Sequence, residues 1–196
     1  MKNVALVFIC LLAPLFTMAQ EQEPQKVREV GIAFSNLDNF GFTYKTGTEK
    51  SLWRFSTLSL NGTNTKSVDD FPGLQQKTFG LRLSAGKEFR KMIVDDLYLR
   101  YGLDLVFTYS SQKIDNSRIS YQETDRNYSP GMNIVLGLNY NINEKIVLGA
   151  ELLPYFTYTR SSNKKVDDNI ETKSGYNKTS YGVSNQSVLL TLAYRF

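Results

Sequence analysis

Five charged residues, Arg82, Arg100, Asp104, Glu151 and Arg195, are set into stretches where apolar side chains recur at every second position. Charges that share a face opposite Leu, Ile, Phe and Tyr have two chemical uses. They can pair with one another across an interior, as buried charges must, or they can gate a narrow ion pathway. Catalytic uses have little support. The chain contains no His, which removes Ser–His and Cys–His nucleophile pairs and His-ligated metals. No carboxylate pair has a distinctive spacing for general acid–base work. Asp69-Asp70 and Asp167-Asp168 lack the spacing of a calcium loop. The net charge of +4 is dispersed, with no block of like charges that would mark a nucleic-acid surface. The expectation is therefore a non-enzyme with no catalytic, cofactor-binding or metal-ligating residues, no cofactor and no nucleic-acid partner.

The elements that would position these charges are strands. From Leu97 to Tyr109, Leu97, Leu99, Tyr101, Leu103, Leu105, Phe107 and Tyr109 fall on one face. Arg100, Gly102, Asp104, Val106 and Thr108 fall on the other. Soluble strands run to roughly five or six residues, whereas a tilted strand needs about 9–11 to cross a bilayer. The same alternation appears over 79–85, 132–140, 146–158 and 188–196, and more weakly over 29–35, 40–46 and 52–60. In the 52–60 segment the face is ambiguous: Trp53 and Phe55 lie on one side, Leu58 and Leu60 on the other. Lys87 falls on the apolar face near a strand end, where it can snorkel. Pro154 cannot donate a ladder hydrogen bond and predicts a local distortion.

Connections sort by length. Short links are expected at 36–39, 47–50, 90–96 and 141–145, and long polar loops at 62–77, 111–128 and 161–185. Apart from 36–39, the short exception, short and long links alternate, as in an up-and-down meander with short turns at one end and long loops at the other. Tyr109, Phe156 and Tyr158 mark one end of the strands, and Phe89, Tyr140, Tyr194 and Phe196 the other, giving two aromatic girdles. Apolar residues then face lipid and charges face a lumen, and the sheet must close so that no backbone edge meets hydrocarbon. The expected fold is all-β: a closed antiparallel up-and-down transmembrane β-barrel of about eight strands, with ten left open by the weak patterning of the first segments.

At the N-terminus, Lys2 precedes an apolar run from Val4 to Phe16, then Thr17-Met18-Ala19 and a polar stretch. That is the pattern of a cleaved secretory signal. The domain reading is a signal peptide over 1–19, a short periplasmic segment over 20–26 and a barrel over 27–196. Cys10, the one cysteine, lies within the apolar run after Ile9, where neither lipid attachment nor a disulfide is expected.

The segment Val188-Leu189-Leu190-Thr191-Leu192-Ala193-Tyr194-Arg195-Phe196 resembles the terminal strand of outer-membrane β-barrel proteins. The likeness is to the small porin-family barrels of the OmpA/OmpX type, which end in an aromatic residue after alternating hydrophobics. It implies location in the outer membrane of a Gram-negative bacterium, with outer-membrane lipid around the wall. It also implies recognition by the barrel-assembly machinery, with Leu190, Leu192, Tyr194 and Phe196 as the assembly signal. Enzymes among small outer-membrane barrels rely on a catalytic His, so this chain departs from them. The role expected of the chain is structural or surface-interacting, with a side-chain-filled barrel presenting loops 62–77, 111–128 and 161–185 to a partner. The alternatives are a narrow channel or secretion-assembly component, and a soluble periplasmic lipocalin-like ligand-binding barrel.

Overall fold

The computed structural model describes residues 26–36, 39–67, 73–168, 170–184 and 187–196. The signal peptide expected over 1–19 lies outside them. Among the described residues, ten strands form one antiparallel sheet: β1 (Lys26–Asn36), β2 (Asn39–Thr48), β3 (Ser51–Lys66), β4 (Leu74–Val94), β5 (Leu97–Asn116), β6 (Tyr121–Asn141), β7 (Ile146–Leu152), β8 (Tyr155–Asp167), β9 (Ile170–Gly182) and β10 (Val188–Arg195). Strands β1 to β7 pair in order, β7 pairs with β10, and β10 returns to β1, which closes a ring of eight strands. The seam is well knit: Glu29 to Phe34 run opposite Arg195 to Leu190. At its end Phe196 N donates to Arg28 O at 2.9 Å.

Strands β8 and β9 continue the wall above β7 and β10. One strand of the wall breaks at Leu153-Pro154, as the missing proline N–H requires. Strand β6 pairs with β7 below the break and with β8 above it. Two backbone bonds bridge the gap: Ile134 N donates to Pro154 O at 2.9 Å, and Leu153 N donates to Ser187 O at 2.7 Å.

The orientation of the faces decides what solvent surrounds this wall. Leu103 and Leu136 are 47% and 44% exposed, while Arg100 and Asp104 are each 1% exposed. Outward side chains of the ring form a continuous belt of Leu, Ile, Val, Phe and Tyr. A water-soluble lipocalin-like barrel would have the reverse order, so that alternative is set aside. A belt of this kind with no open edge is the arrangement lipid demands. Aromatic rings gather at both rims: Phe79, Tyr109 and Tyr128 contact in series at one end, and Phe89 stacks on Tyr101 at the other. Lys87 lies on the apolar face with its ammonium 4.8 Å from the Trp53 ring centroid.

One expectation needs correction and one ambiguity resolves. The segments 62–77, 111–128 and 161–185 are largely strand, not loop: β3 reaches Lys66, β5 and β6 reach Asn116 and Tyr121, and β8 and β9 reach Asp167 and Ile170. Runs of Thr, Ser, Asn and Lys carry no apolar alternation, yet their backbones pair residue by residue. The result is a sheet of six strands, β3, β4, β5, β6, β8 and β9, that projects past the aromatic rim. The ambiguity in β3 also resolves. The β3–β4 register shifts between Thr57 and Ser59, so an extra residue sits in β3. Trp53 and Phe55 below the bulge and Leu60 above it are consequently all exposed on the outer face.

Candidate functional site: a sealed lumen and an outer vestibule

Inward side chains of the ring meet in one connected ion-pair network. Glu88 is its hub: Lys45 Nζ donates to Glu88 Oε2 at 2.9 Å, Arg54 Nη1 to the same oxygen at 3.2 Å, and Arg90 Nε to Oε1 at 2.7 Å. Arg54 Nη2 reaches across to Glu151 Oε2 at 2.7 Å, and Arg54 Nε lies 3.3 Å from Asp104 Oδ1. Arg100 pairs with Glu151 and donates from Nη1 to Asn139 Oδ1 at 2.6 Å. Nearer the short-turn end, Arg90 grips Glu29 with two bonds of 2.8 and 2.7 Å. Arg195 Nη2 meets Glu29 Oε1 at 2.9 Å, directly across the closing seam.

Local sequence makes room for these groups. Gly86, Gly102, Gly137 and Gly149 occupy inward positions of their strands. A Cβ on Gly149 would come within 2.6 Å of Asn139 Oδ1 and 3.0 Å of Arg100 Nη1. One on Gly102 would stand 2.0 Å from the Lys87 carbonyl oxygen, which cannot move aside. Beside the charges, Ala33, Val135, Leu153 and Leu189 form a small buried apolar cluster. Paired charge and packed hydrocarbon together fill the interior, as the width of an eight-stranded barrel allows.

Of the residues expected on the inner face, Arg100, Asp104 and Glu151 share the central network, and Arg195 joins its lower arm. Arg82 does not join. It stands higher, facing Thr108 in the β4–β5 register, and makes no ion pair or hydrogen bond among the described residues. The sequence reading misses Glu29, Lys45, Arg54, Glu88 and Arg90. Their parity is available, since Lys45 alternates with Tyr44 and Arg54 with Trp53 and Phe55, but their partners are up to 166 residues away in the chain. Leu190, Leu192 and Tyr194 line the outer face of β10, and Phe196 follows it, also exposed. Among the described residues no group of His, Cys, Asp and Glu is arranged to hold a metal ion.

The resulting site has two parts. The middle of the lumen is filled by the interlocked charges. Above it opens a vestibule of about 260 Å³, lined by Arg82, Thr108, Ser129, Leu153, Thr157 and Thr159 among others.

No family model matches the sequence, and no curated protein does. Solved structures do. A major outer membrane protein from Thermus thermophilus superposes with a TM-score of 0.55 at 11% identity, over 88% of this chain and 100% of that one. Ail, the attachment invasion locus protein of Yersinia pestis, aligns with 87% of this chain and 96% of its own at 15% identity, with a TM-score of 0.44. Acinetobacter baumannii CarO aligns with 91% of this chain and 99% of its own at 8% identity, with a TM-score of 0.34. At these identities the likeness concerns fold alone, and the Thermus protein carries it. With the ring of strands, the inverted faces and the two rims, it establishes the fold of this chain as that of a small outer-membrane β-barrel.

Proposed function

We propose that the protein is an integral outer-membrane barrel that serves as a closed anchor, holding its projecting sheet at the cell surface for interaction. The observation that carries this reading is the seal: five cations, Lys45, Arg54, Arg90, Arg100 and Arg195, interlock with Glu29, Glu88, Asp104 and Glu151 across the lumen. A conducting pore would leave these groups to water, and aqueous channels in this architecture usually need on the order of 16 strands. The projecting sheet supplies the interaction surface. Its outer face carries a row that crosses five strands, Lys77, Lys113, Thr124, Lys164 and Lys173, each opposite the next in register. Below that row Arg126 and Arg160 lead down to Tyr128 and the aromatic rim. Cations at this height suit the anionic headgroups and surface groups of a membrane. The paired strand ends within 62–77, 111–128 and 161–185, at Lys66 and Leu74, Asn116 and Tyr121, and Asp167 and Ile170, stand beyond them and are the parts offered to a partner. Assembly through the terminal segment Leu190, Leu192, Tyr194 and Phe196 belongs to the same reading.

Planar-bilayer recording of the refolded mature protein tests it. The wild type is expected to be silent at moderate voltage. Steady conductance that changes on neutralising Glu151 or Arg100 would replace this reading with that of a narrow gated channel. Impermeant maleimide labelling of intact cells supplies the topology. Tyr176→Cys in β9 should label, and Asn143→Cys in the short turn should not.

A further inference from the structure

Arg82 is the inward arginine that the seal does not use. Its Nε is buried without a hydrogen-bond partner, and no carboxylate is paired with it among the described residues. A buried N–H with no acceptor among the described residues is costly to keep, and its surroundings explain what could complete it. In register around the barrel, Arg82 faces Thr108, Thr108 faces Ser129, and the Ser129 and Thr159 hydroxyls lie 2.8 Å apart. Thr157 lies one inward position below Thr159, and Lys178 stands opposite Thr159 in the β8–β9 register. The floor includes Leu153, part of the buried apolar cluster, so a charge in the vestibule sits against a low-dielectric wall that strengthens its attraction to Arg82. The lining therefore offers a forked cation and several hydroxyl donors in an enclosure of about 260 Å³. That is the donor set which recognises a tetrahedral or planar oxyanion.

We propose that the outer vestibule is an anion-binding site. Arg82 grips a small oxyanion of the phosphate or sulfate class, and the hydroxyls of Thr108, Ser129, Thr157 and Thr159 take its remaining oxygens. The anion is free, or is the ester head of a short chain entering from the projecting-sheet side. The site stands on residues distinct from the seal and from the outward lysine row, so it survives or fails independently of the surface-interaction reading.

The test uses the full mature chain in detergent micelles at constant ionic strength. The Arg82 Nε–Hε resonance and the backbone amides of Thr108, Ser129 and Thr159, which report in every variant, are followed while inorganic phosphate, and in a second arm a hexose phosphate, is titrated in. A saturable shift with a Kd on the order of 1 mM is expected. Arg82→Gln should weaken binding about tenfold or more, Arg82→Lys should retain part of it, and Lys164→Gln on the outer face should leave it unchanged. Equal binding in both arms identifies the free anion as sufficient, and tighter binding of the hexose phosphate identifies an ester; either supports the site. A shift that grows linearly without saturation overturns it, and so does an equal loss in Lys164→Gln. Arg82→Gln strands no partner and is expected to fold, as heat modifiability on gels will show. If it does not, Thr108→Val and the wild-type titration still decide.

Discussion

Glu88 shows how the sealed lumen is held together at the scale of one residue. Its two oxygens take bonds from Lys45, Arg54 and Arg90. Removing its charge leaves three cations short of an anion in a space that excludes water. Breaking one partner from a buried ion pair costs about 3–5 kcal/mol. Glu88→Gln should therefore destabilise the barrel by about that amount in urea unfolding from lipid vesicles, whereas Arg82→Gln should cost far less. Equal losses would mean that the network is not what stabilises the interior. Charges outside the membrane behave differently. Glu171 accepts from Lys164 and Lys173, which hold its carboxyl at about 2 against an ordinary 4.5. A depressed carboxylate contributes its contacts above the ordinary value and loses them as pH falls through the lowered one. NMR titration of Glu171 should give a midpoint below 4.5 that moves upward with added salt, because these groups are exposed and screened. A midpoint that is ordinary and insensitive to salt would show that the two lysines do not hold it.

At the scale of the element, β5 is legible in the sequence because Leu97 to Tyr109 alternates without interruption. Strand β3 is not. Its extra residue near Leu58 changes parity midway, and a bulge leaves no mark in residue type. The projecting halves of β3, β4, β5, β6, β8 and β9 look like loops in the sequence for a related reason. Both faces of those halves are polar, so pairing is carried by backbone bonds that side-chain pattern cannot report. The inner charges are legible by face and not by height. Arg82 and Arg100 share the inward face, yet register alone shows that one stands in the vestibule and the other in the seal. The bulge makes a sharp prediction. Deleting Leu58 restores one-to-one pairing and keeps both halves of β3 in phase, so the variant should fold and remain heat-modifiable. Deleting Ser84 from β4, which pairs with β5 there without a bulge, turns one half of that strand inside out and should abolish folding. Similar outcomes for the two deletions would refute the assigned register.

At the scale of the whole molecule, the barrel inverts the order of a soluble protein. Hydrocarbon lies outside, interlocked charge lies inside, and a polar sheet rises from one rim. The closing seam ties these levels together, because Glu29 and Arg195 face each other across β1 and β10 while Ile32 and Leu192 do so on the outer side. Site-directed spin labelling of β5 in lipid vesicles tests the inversion most directly. Single cysteines at Leu99, Leu103, Leu105 and Phe107 should give high accessibility to lipid-dissolved oxygen. Those at Val106 and Thr108 should give low values, producing an oscillation of period two. An oscillation of opposite phase, or none, would contradict the membrane-spanning barrel itself.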